Sequence, residues 1–159
     1  MIDRVKLKSQ LIIHEGNRLE AYICPGGCLT VGVGRNVEAN PVTAEIGRDI
    51  LAVGDKVTQE EAMLLLDADL ARYEDEVRAA IPCFDHLSDT RQNVLIDMAF
   101  NMGTAGLMKF RKMLAALEAG EYYRASMEMQ DSRWARQVRS RADRLSDMMA
   151  TGVSLDNIG

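Results

Sequence analysis

The sequence predicts an α+β fold that is mostly helical. A small N-terminal lobe with a short β-sheet is joined by a long helix to a helical C-terminal lobe. Three observations carry this expectation. Two short strand-like runs, 18–23 and 29–34, flank the tight turn Cys24-Pro25-Gly26-Gly27-Cys28. An unbroken helical pattern runs from Thr58 to Ala80. From residue 88 onward the pattern is helical throughout, punctuated by Gly103, Gly106, Gly120 and Gly152. The expected organisation is a lobe over 13–57, a connecting helix over 58–81, and a helical lobe built from 1–12 together with 82–159.

Residues 3–15 are expected to form the first helix, with Asp3 as N-cap and Gly16 as C-cap. The strands 18–23 and 29–34 follow, and the polar segment from 35 to about 41 is expected to leave the sheet. Pro41 marks a turn, and 43–53 reads as one short helix broken near Gly54. Thr58-Gln59-Glu60-Glu61 has the form of a capping box. It opens a helix with apolar residues at Ala62, Leu65, Leu66, Leu70 and Tyr73, and Ile81-Pro82 ends it. Such a helix is about 35 Å long at about 1.5 Å per residue, more than a small lobe can use as core. Helices are then expected near 89–102, 104–108, 110–119, 122–131, 133–137 and 139–151. Leu95, Ile96, Met98, Ala99 and Met102 suggest a first C-terminal helix buried on most sides. Leu114, Leu117, Met127 and Trp134 are expected in the same core, with the ten methionines serving as gap-fillers.

A chain of 159 residues can bury one good core, or one core plus a small lobe. No apolar run approaches the roughly 20 residues of a membrane span. The N-terminus alternates charge and hydrophobe without a signal-peptide core, so synthesis in the cytoplasm and export by another route are expected. Three cysteines, Cys24, Cys28 and Cys83, make no disulfide framework. With only His14 and His86 to add to them, no metal site is expected. Cys24 and Cys28 could pair across the turn if oxidised, which would silence a reactive thiolate at Cys24.

The net charge of −5 argues against nucleic-acid binding. It is uneven: residues 1–81 carry 9 basic and 14 acidic side chains, and residues 82–159 carry 10 of each. Arg133, Arg136, Arg139, Arg141 and Arg144 are crowded together with only Asp143 in opposition. They read either as a solvated helix face or as the electropositive wall of an anionic-ligand groove.

The chemistry concentrates between His14 and Asn36. Glu15 ends the first helix, and Leu11 and Ile12 share its face. A carboxyl half buried among hydrophobes resists ionisation and suits a general acid. The plainer reading is an ordinary carboxylate at a helix end. Cys24 and Thr30 are presented from the hairpin that follows.

These residues resemble the phage-type lysozymes, the endolysins that hydrolyse bacterial peptidoglycan. The resemblance rests on His14-Glu15-Gly16, Thr30-Val31-Gly32-Val33-Gly34, Ala99-Phe100-Asn101-Met102-Gly103, Ser132-Arg133-Trp134 and Arg141-Ala142-Asp143-Arg144. The ordered set covers nearly the whole chain. It implies two lobes joined by a long helix, with the active-site cleft between them and the first helix packed with the C-terminal lobe. It also implies Glu15 as general acid and Thr30 as the residue that helps place the attacking water. The middle catalytic position, usually aspartate, is Cys24 here. Arg141 falls where the family sets an arginine beside the catalytic glutamate, which would favour the anion and oppose the effect of burial. Gly34, Asn36, Phe100 and Asn101 fall on cleft-lining positions, and Arg35 stands where histidine is frequent. Core packing is the alternative for Phe100 and the favoured reading for Trp134, and Asn101 could instead bridge backbone near Gly103.

The resemblance implies a monomeric muramidase without cofactor or metal, acting on peptidoglycan in the wall after release, with a membrane-permeabilising holin as possible partner. Glycoside hydrolysis needs a proton for the leaving oxygen and a second group that steadies the anomeric centre, activates water or attacks. Cys24 could fill the second role only as a thiolate, and Arg18 or Arg35 could favour that form. The competing expectation is a weak or inactive enzyme that binds peptidoglycan on a lysozyme fold.

Overall fold

The computed structural model describes residues 4–154. The expected N-cap at Asp3 lies outside the described residues. The chain divides into two compact units, Lys8–Arg72 and Met1–Leu7 together with Tyr73–Gly159. The division falls inside α1 (Arg4–Glu15) and inside α3 (Gln59–Ala80).

In the unit Lys8–Arg72, α1 stops at Gly16, whose φ of 78° places it in the left-handed region and whose N–H donates to the Ile12 carbonyl at 2.9 Å. Three antiparallel strands follow in the order β1 (Arg18–Ile23), β2 (Leu29–Gly32), β3 (Arg35–Asn36). Tyr22 pairs with Thr30 and Ile23 with Leu29, while a bulge separates Arg18 and Tyr22 along β1. On its other edge β1 takes the 54–57 segment, with Ala21 N–H donating to the Asp55 carbonyl at 2.7 Å. Ala21, Leu29, Val31, Val37, Val42, Ile50, Val57, Ala62 and Leu65 form the core beneath the sheet.

Two expectations fail in this unit. The segment after 34 does not leave the sheet: Arg35 and Asn36 form β3 opposite Val31 and Thr30. Polarity misled because the Arg35 side chain is buried yet satisfied by partners of its own. The helix expected over 43–53 is only α2 (Thr43–Ile46), ended by Gly47 at φ 74°. The chain beyond it is held by side-chain bonds instead, as Asp55 accepts from the N–H groups of Leu51 and Ala52 at 2.9 and 3.1 Å.

The capping box forms as expected. Thr58 N–H donates to Glu61 at 2.9 Å, and Glu61 N–H donates to the Thr58 hydroxyl at 3.1 Å. Helix α3 then runs unbroken for 22 residues.

The second unit is helical: α4 (Asp89–Leu107), α5 (Arg111–Glu118), α6 (Tyr122–Gln130), α7 (Arg133–Val138) and α8 (Ser140–Thr151), after a 3₁₀ turn at Phe84–His86. Ser88 caps α4, accepting from Arg91 N–H at 3.3 Å. Eight consecutive residues, Gln92–Ala99, are buried, so this helix is core on nearly every side. Gly103, at φ 80° and ψ 157°, breaks its helical geometry between the two segments expected at 89–102 and 104–108. Met113, Leu117, Met129, Leu145, Met148 and Met149 close the core around it. Met127 does not join them: it is 56 % exposed, and Met129 faces inward in its place. The two lie a little over half a turn apart on α6, so only one can face the core.

Candidate active site

Glu15 is half-buried at the last position of α1, with Leu11 fully buried on the same face. The left-handed Gly16 turns the chain from helix to strand immediately after it. In β1, the Arg18 guanidinium stacks on the Tyr22 ring at 3.9 Å from its centroid. The Tyr22 phenol is pushed up by burial. Arg18 opposes the shift, while the negative charges of Glu15 and Cys24 add to it. Glu15, Tyr22, Arg18 and Cys24 therefore share one electrostatic neighbourhood.

The turn that follows explains the state of Cys24. Cys24 N–H donates to the Cys28 carbonyl at 3.0 Å, and Gly27 N–H donates to the Cys24 carbonyl at 2.8 Å. Gly27, at φ 86°, supplies the left-handed residue that a three-residue hairpin loop requires. The Cys24 thiol lies below its ordinary range. The chief cause is a hydrogen bond from the Cys28 backbone, opposed by desolvation and aided by Thr30, the Gly26 backbone and the Cys28 side chain. The expected arginines play no part in this. Arg18 lies on Tyr22, and Arg35 is buried, donating to Asp69 at 2.9 Å, to Glu45 at 3.0 Å and to the Asn40 and Pro41 carbonyls.

Thr30 is buried on β2 directly opposite Tyr22, and its hydroxyl donates to the Cys28 carbonyl at 2.9 Å. One hydroxyl proton serves one acceptor at a time. The carbonyl is the geometric partner, and rotation about the Cβ–Oγ bond turns the same proton toward an ionised Cys24. Gly34, at φ 67°, makes the β2–β3 turn. Asn36 accepts from the N–H groups of Glu38 and Ala39 at 3.0 Å each, an Asx turn that fixes the carboxamide.

The remaining candidates lie in the other unit. Phe100 is half-buried, with its ring 5.5 Å from that of Tyr73. Trp134 is 7 % exposed, as core packing predicts. Its indole N–H donates to Asn101 Oδ1 at 2.7 Å, so Asn101 serves the tryptophan rather than the backbone near Gly103. Arg141 is 8 % exposed and donates through Nε to Asp97 at 2.9 Å, with a second nitrogen at 2.7 Å. Arg133, Arg136, Arg139 and Arg144 are exposed, whereas Arg141 is the inward member of that group. Arg133 also borders a hollow of about 610 Å³ whose lining includes Lys109, Arg111, Lys112, Glu128, Asp131 and Trp134.

A family model described as phage lysozyme matches residues 13–147. The chain belongs to the phage lysozyme family. Membership supports a peptidoglycan hydrolase of the lysozyme type. Three relatives illustrate the reach of the likeness. The chain is 32 % identical over 158 residues to the pre-baseplate central spike protein Gp5 of Enterobacteria phage T4, covering 91 % of this chain but 27 % of that protein. It therefore spans about a quarter of that relative. A probable T4-type lysozyme 2 of Dictyostelium discoideum is 26 % identical across 92 % of this chain and 95 % of its own length. An endolysin of Acyrthosiphon pisum secondary endosymbiont phage 1 is 29 % identical across 72 % and 68 %.

Sequence reasoning missed three residues. Asp97 and Asp69 each hold a buried arginine, and each sits among apolar neighbours in its helix, Ile96 and Met98 for one and Leu66 and Leu70 for the other. An acid at a core position of a helix is the signal that could have found them. Tyr22 was passed over because its alternation in β1 reads as ordinary strand patterning.

Proposed function

We propose that the chain is a muramidase, cleaving the β-1,4 bond between N-acetylmuramic acid and N-acetylglucosamine and so lysing bacterial walls. Glu15 protonates the leaving oxygen as general acid. Cys24, as thiolate, takes the place of the family's aspartate, and Thr30 orients the water through the lone pairs its oxygen keeps beyond its one donated bond. Gly34, Asn36, Phe100 and Asn101 bind the glycan, and Arg141, fixed by Asp97, keeps the supporting role the family implies. The reaction needs no cofactor, one chain suffices, and release to the wall rests with a holin-type partner.

The observation that carries this reading is the setting of Cys24 in its turn, where the Cys28 and Gly26 backbone and the Thr30 side chain hold the thiol below its ordinary value. A thiol in an ordinary setting, with its value near 8.5, is largely neutral at pH 7 and a poor substitute for a carboxylate. The Cys28 and Gly26 backbone and the Thr30 side chain lower the thiol, the direction that favours an anion at the aspartate position. Digestion of purified peptidoglycan followed by analysis of the new reducing ends tests the bond assignment. Reducing N-acetylmuramic acid is the expected product. Reducing N-acetylglucosamine, or wall binding with no new ends, contradicts it.

A further inference from the structure

Cys24 does not stand alone in its turn. The Cys24 N–H to Cys28 carbonyl bond makes the two residues the closing pair of the hairpin. Residues that close such a hairpin put their side chains on one face, near the Cα separations of paired strands, about 4.5–5.5 Å. Disulfides form over about 4.4–6.8 Å. Both cysteines are free thiols and both are half-exposed. The Cys24 sulfur folds back over the turn, 3.6 Å from where a Cβ at Gly26 would stand. That orientation holds it over the three-residue loop that the two cysteines close.

We propose that Cys24 and Cys28 form a peroxide-sensitive pair, a modification site that closes reversibly to a disulfide and removes the Cys24 sulfur from the reaction. The loss of activity rests on the catalytic reading of Cys24; the bond itself does not. The Cys24 thiolate attacks one oxygen of a hydroperoxide, giving Cys24 sulfenic acid and releasing hydroxide, or alkoxide from an organic hydroperoxide. The Cys28 sulfur then attacks the sulfenic sulfur. The S–S bond forms, the S–O bond breaks, and the Cys28 proton leaves with the hydroxyl as water. Two electrons pass from the two sulfurs to the peroxide.

The third thiol provides the contrast. Cys83 is buried, and burial, with the charge of Glu118, pushes it up to about 11, so it stays neutral and unreactive. The loop between Cys24 and Cys28 is short, so closing it removes little freedom from the unfolded chain and the bond yields readily to thiol reductants.

The test treats the whole purified chain with hydrogen peroxide, maps its disulfides by peptide mass, and follows wall lysis before oxidation, after it, and after reduction. The expected result is a Cys24–Cys28 bond with Cys83 unmodified, and lysis reduced on the order of a hundredfold, the scale of losing a positioned catalytic group. Dithiothreitol should restore it. In Cys28→Ser, prolonged peroxide should carry Cys24 to sulfinic acid, with a loss that reductant does not reverse. Separate oxidation of the two cysteines with no bond between them overturns the proposal. So does equal lysis by the reduced and disulfide forms. If the fully reduced protein lyses no walls, the catalytic reading fails instead, and the mapped bond still decides whether the pair exists.

Discussion

Arg141 and Asp97 form an ion pair inside the helical unit, with Arg141 8 % exposed and Asp97 fully buried. Removing one partner of such a pair leaves the other charged in a dry interior, at a cost of about 3–5 kcal/mol. Asp97→Ala should therefore lower unfolding free energy by about that amount, read from urea denaturation of this variant beside the wild type. A change below about 1 kcal/mol would mean that Arg141 depends little on Asp97.

Arg35 and Asp69 give the smaller unit a comparable pair with a pH signature. Burial outweighs Arg35 and Arg72 and raises the Asp69 carboxyl to about 6. A carboxyl raised on folding is protonated more readily in the folded chain than in the unfolded one. Its contribution to stability is full below about pH 4 and is lost as pH rises through about 6. Stability should thus increase by about 1 kcal/mol from pH 7 to pH 5 through this group. Asp69→Asn should remove that increment, as thermal melts of both proteins across this range would register.

How much of this could be read from sequence depends on how local the signal is. The cap Thr58/Glu61, the stop at Gly16 and the break at Gly103 are each set by two or three neighbouring residues, and all stand where expected. β3 was misread because a distant partner decides it: Arg35 is satisfied by Asp69 of α3, a contact 34 residues away. For the candidate site, Glu15, Cys24 and Thr30 stand out by their place at the helix end and in the hairpin and by the family resemblance. The cause of the lowered Cys24 thiol was not legible. Arginine charge was the obvious candidate, but backbone N–H groups of the turn are the main donors, and turn amides leave no trace in composition.

Activity should follow the ionisation of Cys24. The acid limb of the lysis profile should lie below the ordinary thiol range near 8.5, because the thiol is lowered. Cys24→Asp should move that limb further to acid, by an amount approaching the gap between thiol and carboxyl, and keep substantial activity. Rates measured from pH 4 to 10 would reveal it. An unchanged limb would exclude Cys24 as the titrating group.

Salt offers another test. Exposed Arg133, Arg136, Arg139 and Arg144, with Lys109, Arg111 and Lys112 nearby, give an acidic protein a local positive field toward an anionic wall. Lysis should weaken as ionic strength rises from about 0.01 to 0.15 M, where the screening length falls from about 30 to 8 Å. Arg133→Glu combined with Arg136→Glu should lower the rate at low salt and flatten the dependence.

The central claim joins Glu15 as acid to Cys24 as thiolate, and turbidity loss of bare cell walls tests both at once. Purified wild type should clear the suspension. Glu15→Gln and Cys24→Ser should each fall by about 10² or more, the usual range for a positioned acid or base. Lysis by Cys24→Ser at the wild-type rate would contradict the account.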